Sequence, residues 1–235
     1  YTLLAINKSI TNLTLTGQYA LFQEVADTVD VDVYHAEANY VLPLSGFKLG
    51  FDAAYRTSRT EGVLASAGYN LEGSYLVGRV GVKELAGFAA SFAYGQSDKS
   101  DDLVAGMGGG ADNLYTNTII RGGTQAFNAN TDSYLFDVSY DFSTIGVKGF
   151  KLGAQYAVSE QDKLDEATLS RKAADIGKEY DYTTYNINAT YAFEGALKGL
   201  SVTALYETQE KETKSGSTKT SADTDEFRFM ANYKF

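Results

Sequence analysis

The stretch that decides the fold closes the sequence: Asp225-Glu-Phe-Arg-Phe-Met-Ala-Asn-Tyr-Lys-Phe235. Phe227, Phe229, Ala231, Tyr233 and Phe235 share one face of an extended chain, and Arg228, Met230, Asn232 and Lys234 share the other. This is the two-residue repeat of a β-strand, with one face wholly apolar or aromatic. Working outward, the same alternation recurs over Leu200 to Tyr206, Tyr185 to Phe193, Phe150 to Tyr156, Tyr134 to Phe142, Phe88 to Tyr94, Leu76 to Val82, Phe47 to Tyr55, Tyr34 to Leu42, Leu13 to Leu21 and residues 2–7. Eleven strands result. The longest stretch with any 3.6-residue repeat is Glu166 to Ile176, so the class is all-β.

Composition narrows the function. With 44% hydrophobic and 21% charged residues in 235, the chain sits in the folded range. Twenty basic residues against thirty acidic ones, a net charge of −10, argue against a nucleic-acid partner, which requires a basic surface. No cysteine and a single histidine exclude disulfides, thiolate chemistry and any scheme needing two histidines. No run approaches the roughly 18 apolar residues of a spanning helix. That test is blind to a membrane β-barrel, whose alternating strands cancel their own hydropathy. The first residue is Tyr1 with no basic-then-apolar leader, as expected of a mature chain or a piece of one.

A soluble sandwich also alternates, but its polar face tolerates long charged side chains throughout. Here that face is rich in Ser, Thr, Gly, Asn and Gln, suited to a hydrated interior. Aromatic residues close the apolar faces, as in Tyr191 with Phe193, Tyr140 with Phe142, and Tyr233 with Phe235, where a bilayer interface would hold them. The expected fold is a transmembrane antiparallel up-and-down β-barrel.

Short links near 7–12, 43–46, 83–87, 143–149 and 194–199 alternate with long ones near 22–30, 58–69, 97–132, 160–179 and 211–223, as periplasmic turns alternate with extracellular loops. Bacterial barrels generally have an even strand number, and an open edge in lipid leaves backbone groups unsatisfied. The odd count therefore suggests that residues 1–235 are a single β-barrel region, the C-terminal part of a larger barrel. The alternative is a complete 10- or 12-stranded barrel, with a missed strand near Gly62 to Tyr69.

At this point a family resemblance appears. Thr131-Asp-Ser-Tyr-Leu-Phe-Asp-Val-Ser-Tyr-Asp-Phe-Ser-Thr-Ile-Gly-Val-Lys-Gly-Phe-Lys-Leu-Gly-Ala-Gln-Tyr156 resembles a hairpin near the C-terminus of OprD-like porins. Gly195-Ala-Leu-Lys-Gly-Leu-Ser-Val202, the Asp225-Glu-Phe-Arg228 before the last strand and the Gly106 to Asn117 run are similar in kind. The Lys-Phe ending, 18 tyrosines and absence of Trp lean toward the major outer membrane proteins of epsilonproteobacteria. The resemblance covers residues 10–235 and implies an 18-stranded porin, trimeric in that branch. At about 21 residues per strand, 18 strands take about 385 residues.

Register places Lys48, Asp52, Arg56, Arg79, Asp137, Asp141, Lys151, Glu207, Arg228 and Lys234 on the lumen side, as pore-lining candidates or hydrated wall residues. The resemblance implies a ladder of basic residues, for which Arg56, Arg79 and Lys151 are the candidates. The loop from Ser97 to Asp132 is too long for a simple connection. Gly108, Gly109, Gly110, Asp112, Tyr115 and Arg121 make it a constriction candidate, with an external cap or trimer contact as the alternative. No helix follows those glycines, so a phosphate cradle is not expected. Asp27, Asp30 and Asp32 could serve Ca²⁺ or form a solvated acidic rim, and otherwise no cofactor is expected. His35, with Glu37 two residues on, is the one candidate for hydrolytic chemistry.

The sequence thus points to a non-enzymatic porin of a Gram-negative outer membrane, passing small hydrophilic solutes and ions with a weak cation preference. Its expected partners are outer-membrane lipids and two further copies of itself. A non-channel barrel acting as adhesin or surface antigen is the alternative.

Overall fold

The computed structural model describes residues 1–26, 29–61, 71–104, 115–119 and 125–234. Eleven strands form one sheet in chain order: β1 (Thr2–Asn7), β2 (Leu13–Ala26), β3 (Val29–Leu44), β4 (Phe47–Glu61), β5 (Ser74–Leu85), β6 (Phe88–Ser97), β7 (Thr131–Asp141), β8 (Phe150–Gln161), β9 (Glu179–Ala192), β10 (Leu200–Ser215) and β11 (Thr218–Tyr233). Every neighbouring pair is antiparallel. Among the described residues β1 and β11 are the two edges of the sheet.

Alternation dictates which face is which, and burial is inverted relative to a water-soluble domain. Phe227, Ile187, Leu76 and Phe92 are 47–68% exposed on one face, while Arg56 and Glu207 on the other are fully buried. A water-soluble sheet buries its apolar face. Exposing this one makes sense only where the surroundings are hydrocarbon.

Two aromatic girdles bound the apolar band. Tyr34 and Tyr40, Tyr134 and Tyr140, Tyr185 and Tyr191, and Phe227 and Tyr233 repeat a six-residue spacing on β3, β7, β9 and β11, about 20 Å along each strand. Rings on adjacent strands meet at both levels, Tyr94 with Tyr134 at 5.0 Å and Phe88 with Tyr140 at 4.5 Å. At the long-loop end, outward tyrosines donate to an aspartate on the next strand: Tyr19 to Asp32 at 2.5 Å, Tyr94 to Asp132 at 2.8 Å and Tyr206 to Asp225 at 3.1 Å. Each ring can lie in apolar surroundings while its hydroxyl marks the polar boundary.

Turn chemistry matches the short links. Ala86 and Gly87, between β5 and β6, have φ of +50° and +91°, the pair of positive values that a type I′ hairpin turn needs. The stretch expected as a long loop at 211–223 is instead continuous ladder, paired from Lys211↔Ala222 to Ser215↔Thr218 across the two-residue turn Gly216-Ser217. Its alternation is invisible because both faces are polar. The Glu166 to Ile176 stretch holds one 3₁₀ turn, Ala173–Asp175. The proposed extra strand at Gly62 to Tyr69 lies outside the described residues.

On this geometry a charge at mid-strand on the outer face is costly and one on the inner face is not. Phe92→Lys is expected to lower stability by about 2–4 kcal/mol. Ser91→Lys, one residue back on the inner face of β6, should be close to neutral. Urea unfolding of both variants in lipid vesicles checks this pair, and equal losses would refute the assignment of faces.

Candidate functional site: the inner face and the segment that crosses it

Pairing carries one parity of residues inward across the sheet. Asn39 on β3 stands opposite Asp52 on β4, which stands opposite Arg79 on β5. The Asn39 amide donates to Asp52 Oδ1 at 2.8 Å and to Glu37 Oε1 at 2.9 Å. Arg79 Nε donates to Asp52 Oδ2 at 2.8 Å. The result is a polar row on which the Ser97 to Asp132 loop lands.

Tyr115 is the landing point. Its hydroxyl donates to Glu37 and lies 2.6 Å from the Asn39 amide nitrogen, and the Arg79 guanidinium sits 4.2 Å from its ring centroid. Tyr115 has φ of +60°, a left-handed backbone that a non-glycine residue keeps only where contacts hold it. Next in line, Thr116 Oγ1 meets the Tyr75 hydroxyl of β5 at 2.5 Å. Four residues on from Tyr115, the Ile119 amide donates to Gln155 Oε1 of β8 at 3.1 Å, and Gln155 donates to Asp137 of β7 at 2.8 Å. From β5 to β8 is three strand spacings, about 14 Å, and five residues reach about 16 Å when extended. Bent at Tyr115, Thr116 and Ile119, the segment 115–119 forms a strap over the inner face whose side chains complete the reach.

Toward the long loops the inner face turns apolar because the loops cover it. Leu103, Tyr115, Ala126 and Phe127 of the long loop pack with the inward Ala54, Tyr75, Val77, Ala93, Leu135 and Ala157. A second cluster joins Ala20 to Val29, Val31 and Val33. Gly95 makes room for this packing, since a Cβ there would lie 2.0 Å from the Tyr75 hydroxyl oxygen. Asp102, 4% exposed, ties the long loop to the next one. It accepts from the Ala129 amide at 2.8 Å, the Ser170 amide at 2.6 Å and the Ser170 hydroxyl at 2.8 Å.

The candidates from the sequence that lie within strands keep the inward register but not one environment, and Lys234 follows the end of β11. Arg79 and Asp52 meet at the strap. Arg56 is fully buried, its guanidinium 5.9 Å from the Phe127 ring. Glu207 is fully buried and accepts from Asn186 at 3.0 Å. Asp137 is held by Gln155. Near the short turns Lys48 pairs with Glu84 at 2.7 Å and Lys151 with Asp141 at 3.3 Å, and the Lys234 amide bonds the Gly199 carbonyl, while Arg228 pairs with Glu226 on its own strand at the level of Phe227. The three basic ladder candidates thus divide into one buried, one at the strap and one in a cross-strand ion pair.

Of the constriction candidates, Tyr115 is at the strap. Gly108, Gly109, Gly110, Asp112 and Arg121 lie outside the described residues, as does Asp27. Asp30 and Asp32 point outward on β3, and Asp32 takes the Tyr19 hydroxyl. Among the described residues no three His, Asp or Glu side chains converge as metal ligands. Sequence reasoning missed Asn39, Tyr75, Gln155 and Asp102. Tyr75 carried a signal, being an aromatic residue on the polar face of its strand.

An outward apolar band with aromatic girdles and an inner face lined with polar side chains define the wall of a transmembrane β-barrel. The family model of the OprD family, described as outer membrane porin, matches residues 12–235, and the chain belongs to that family. It is accordingly a protein of the bacterial outer membrane. The family is one of porins rather than enzymes, which removes the hydrolytic reading of His35. Solved structures with the same fold include OccK8 (OprE) of Pseudomonas aeruginosa, at TM-score 0.73 and 17% identity over 99% of this chain and 56% of that one. OccAB4 of Acinetobacter baumannii gives 0.68 and 16% over 99% and 52%, and Pseudomonas aeruginosa OpdL 0.68 and 17% over 98% and 69%. The chain spans about half the length of the first two. Comparison with curated protein sequences gives no match.

Because Asp102 accepts one bond from within its own loop and two from Ser170 of the next, Asp102→Ala is expected to lower stability by about 1.5–3 kcal/mol, the range for bonds to a charged group. Limited proteolysis should then cut within 98–130 and 162–178 several-fold faster while far-ultraviolet circular dichroism keeps the strand signal. An unchanged cleavage rate would contradict the tie.

Proposed function

We propose that the chain forms part of the wall of a water-filled channel for passive diffusion of small hydrophilic solutes and ions. The observation that carries this reading is the inverted burial: apolar side chains outward, polar and charged side chains on an inner face crossed by a strap. Such a channel makes and breaks no bonds, so it requires no cofactor. The sheet edges at β1 and β11 expose backbone donors and acceptors, and each unsatisfied group in hydrocarbon costs several kcal/mol. We therefore read these eleven strands as a portion of a larger closed barrel.

The strap is read as the constriction and the charges beside it as the filter. Among the described residues, Glu37, Asp52 and Asp137 contribute three carboxylates against the one guanidinium of Arg79, while Arg56 is covered by the loop. Charges lining a narrow pore bias which ions pass, so the proposal includes a weak cation preference. Reconstituted in planar bilayers, the full-length protein should carry stepwise current with a zero-current potential of cation-selective sign in a salt gradient. Absence of current would overturn the channel reading, and an anion-selective sign would overturn only the preference.

The homotrimer rests on the resemblance to the major outer membrane proteins. A native mass of three protomers in mild detergent is the expected result, and a monomer would refute it.

A further inference from the structure

His35 is the only histidine in the chain, and it points inward from β3, 4% exposed. Its Nε2 lies 3.4 Å from Glu37 Oε2, and its Nδ1 has no hydrogen-bond partner among the described residues. The other oxygen of the same carboxylate, Oε1, receives the Tyr115 hydroxyl and the Asn39 amide. His35 and the strap therefore share one anchoring group.

The surroundings of His35 make a proton there consequential. From β4, the fully buried Arg56 stands directly opposite, with Tyr75 of β5 beyond it. From β2, the neutral Gln18 stands opposite. On its own strand Glu37 is the adjacent charge, and Asp52 follows one inward position further through Asn39. From the strap comes Tyr115. Among these groups Glu37 is the one carboxylate in contact with the ring.

We infer that His35 is the proton sensor of a latch: Glu37 holds the strap through Tyr115 while His35 is neutral, and acidification draws Glu37 away and releases the strap. This deepens the channel reading and rests on it. A histidine changes charge within the physiological pH range. A cation created here faces Arg56 across the strands and, among the described residues, gains a carboxylate partner by closing on Glu37. Charge-assisted N–H···O bonds shorten to about 2.7–2.9 Å, so the 3.4 Å contact must contract. The carboxylate turns toward the ring as it does so, and Tyr115 loses the acceptor that helps keep its left-handed backbone in place. Arg79 stacking and the Thr116–Tyr75 bond still touch the loosened end, and the Ile119–Gln155 bond holds the other.

The test is single-channel recording of the full-length protein in planar bilayers with symmetrical potassium chloride, stepped from about pH 8 to about pH 5. Occupancy of the larger-conductance state is expected to rise about threefold or more on acidification, a shift within reach of one altered contact. His35→Gln should stay at the high-pH level throughout. Glu37→Gln, which weakens the shared anchor, should show the high-occupancy state at every pH and serves if His35→Gln does not insert. A wild-type channel that conducts with no pH response would overturn the latch alone, and so would a His35→Gln channel with the wild-type response. No wild-type current at any pH would overturn the channel reading itself.

Discussion

In hydrocarbon a backbone N–H or C=O has no water to turn to, and leaving one unpaired costs several kcal/mol. That constraint organises everything else here. It forces long continuous ladders, such as the sixteen registered pairs between β10 and β11. It also confines irregular backbone to the two ends, where two-residue turns such as Ala86-Gly87 waste few groups. Once pairing is complete, side-chain alternation is the only variable left, and it assigns one face to lipid and the other to the interior. The outward tyrosines with aspartate partners then locate the level at which water again becomes available.

The inner face obeys the same demand by different means. Charged groups there lie in a confined space, and several of those described are neutralised across strands: Arg79 by Asp52, Lys151 by Asp141, Lys48 by Glu84. Near the long loops the solution changes from ion pairs to packing. Val29, Val31, Val33, Val77 and Leu135 would be poor lumen walls if bare, but they are covered by Leu103, Phe127 and their neighbours. The apolar inward positions and the long loops thus account for each other.

The strands were legible because a period of two survives wherever one face is apolar, and the eleven runs read from sequence correspond to β1 to β11. It failed at Lys211 to Asp223, where Glu, Lys and Thr occupy both faces and no hydropathy contrast exists. Inward register was equally legible, since Arg79 and Glu207 follow from parity alone. What parity cannot say is which inward residues a loop will cover. Arg56 and Arg79 look equivalent in sequence, one per adjacent strand, yet one lies beneath Phe127 and the other faces Tyr115. Their difference comes from contacts with Phe127 and Tyr115, far along the chain, which no local pattern encodes.

The same reasoning bears on selectivity. The net charge of −10 sums rim, loops and lumen, and the outward carboxylates of Asp32, Asp132 and Asp225 are on the wrong side of the wall to act on a permeating ion. A basic residue count on the inner strands is no better a guide, because Arg56 is withdrawn by the loop and Lys151 is paired with Asp141. The charges that remain beside the strap are set by where Tyr115 lands. On the proposed channel reading, selectivity is therefore a property of loop placement more than of composition, and whatever moves the strap would alter the filter together with the aperture.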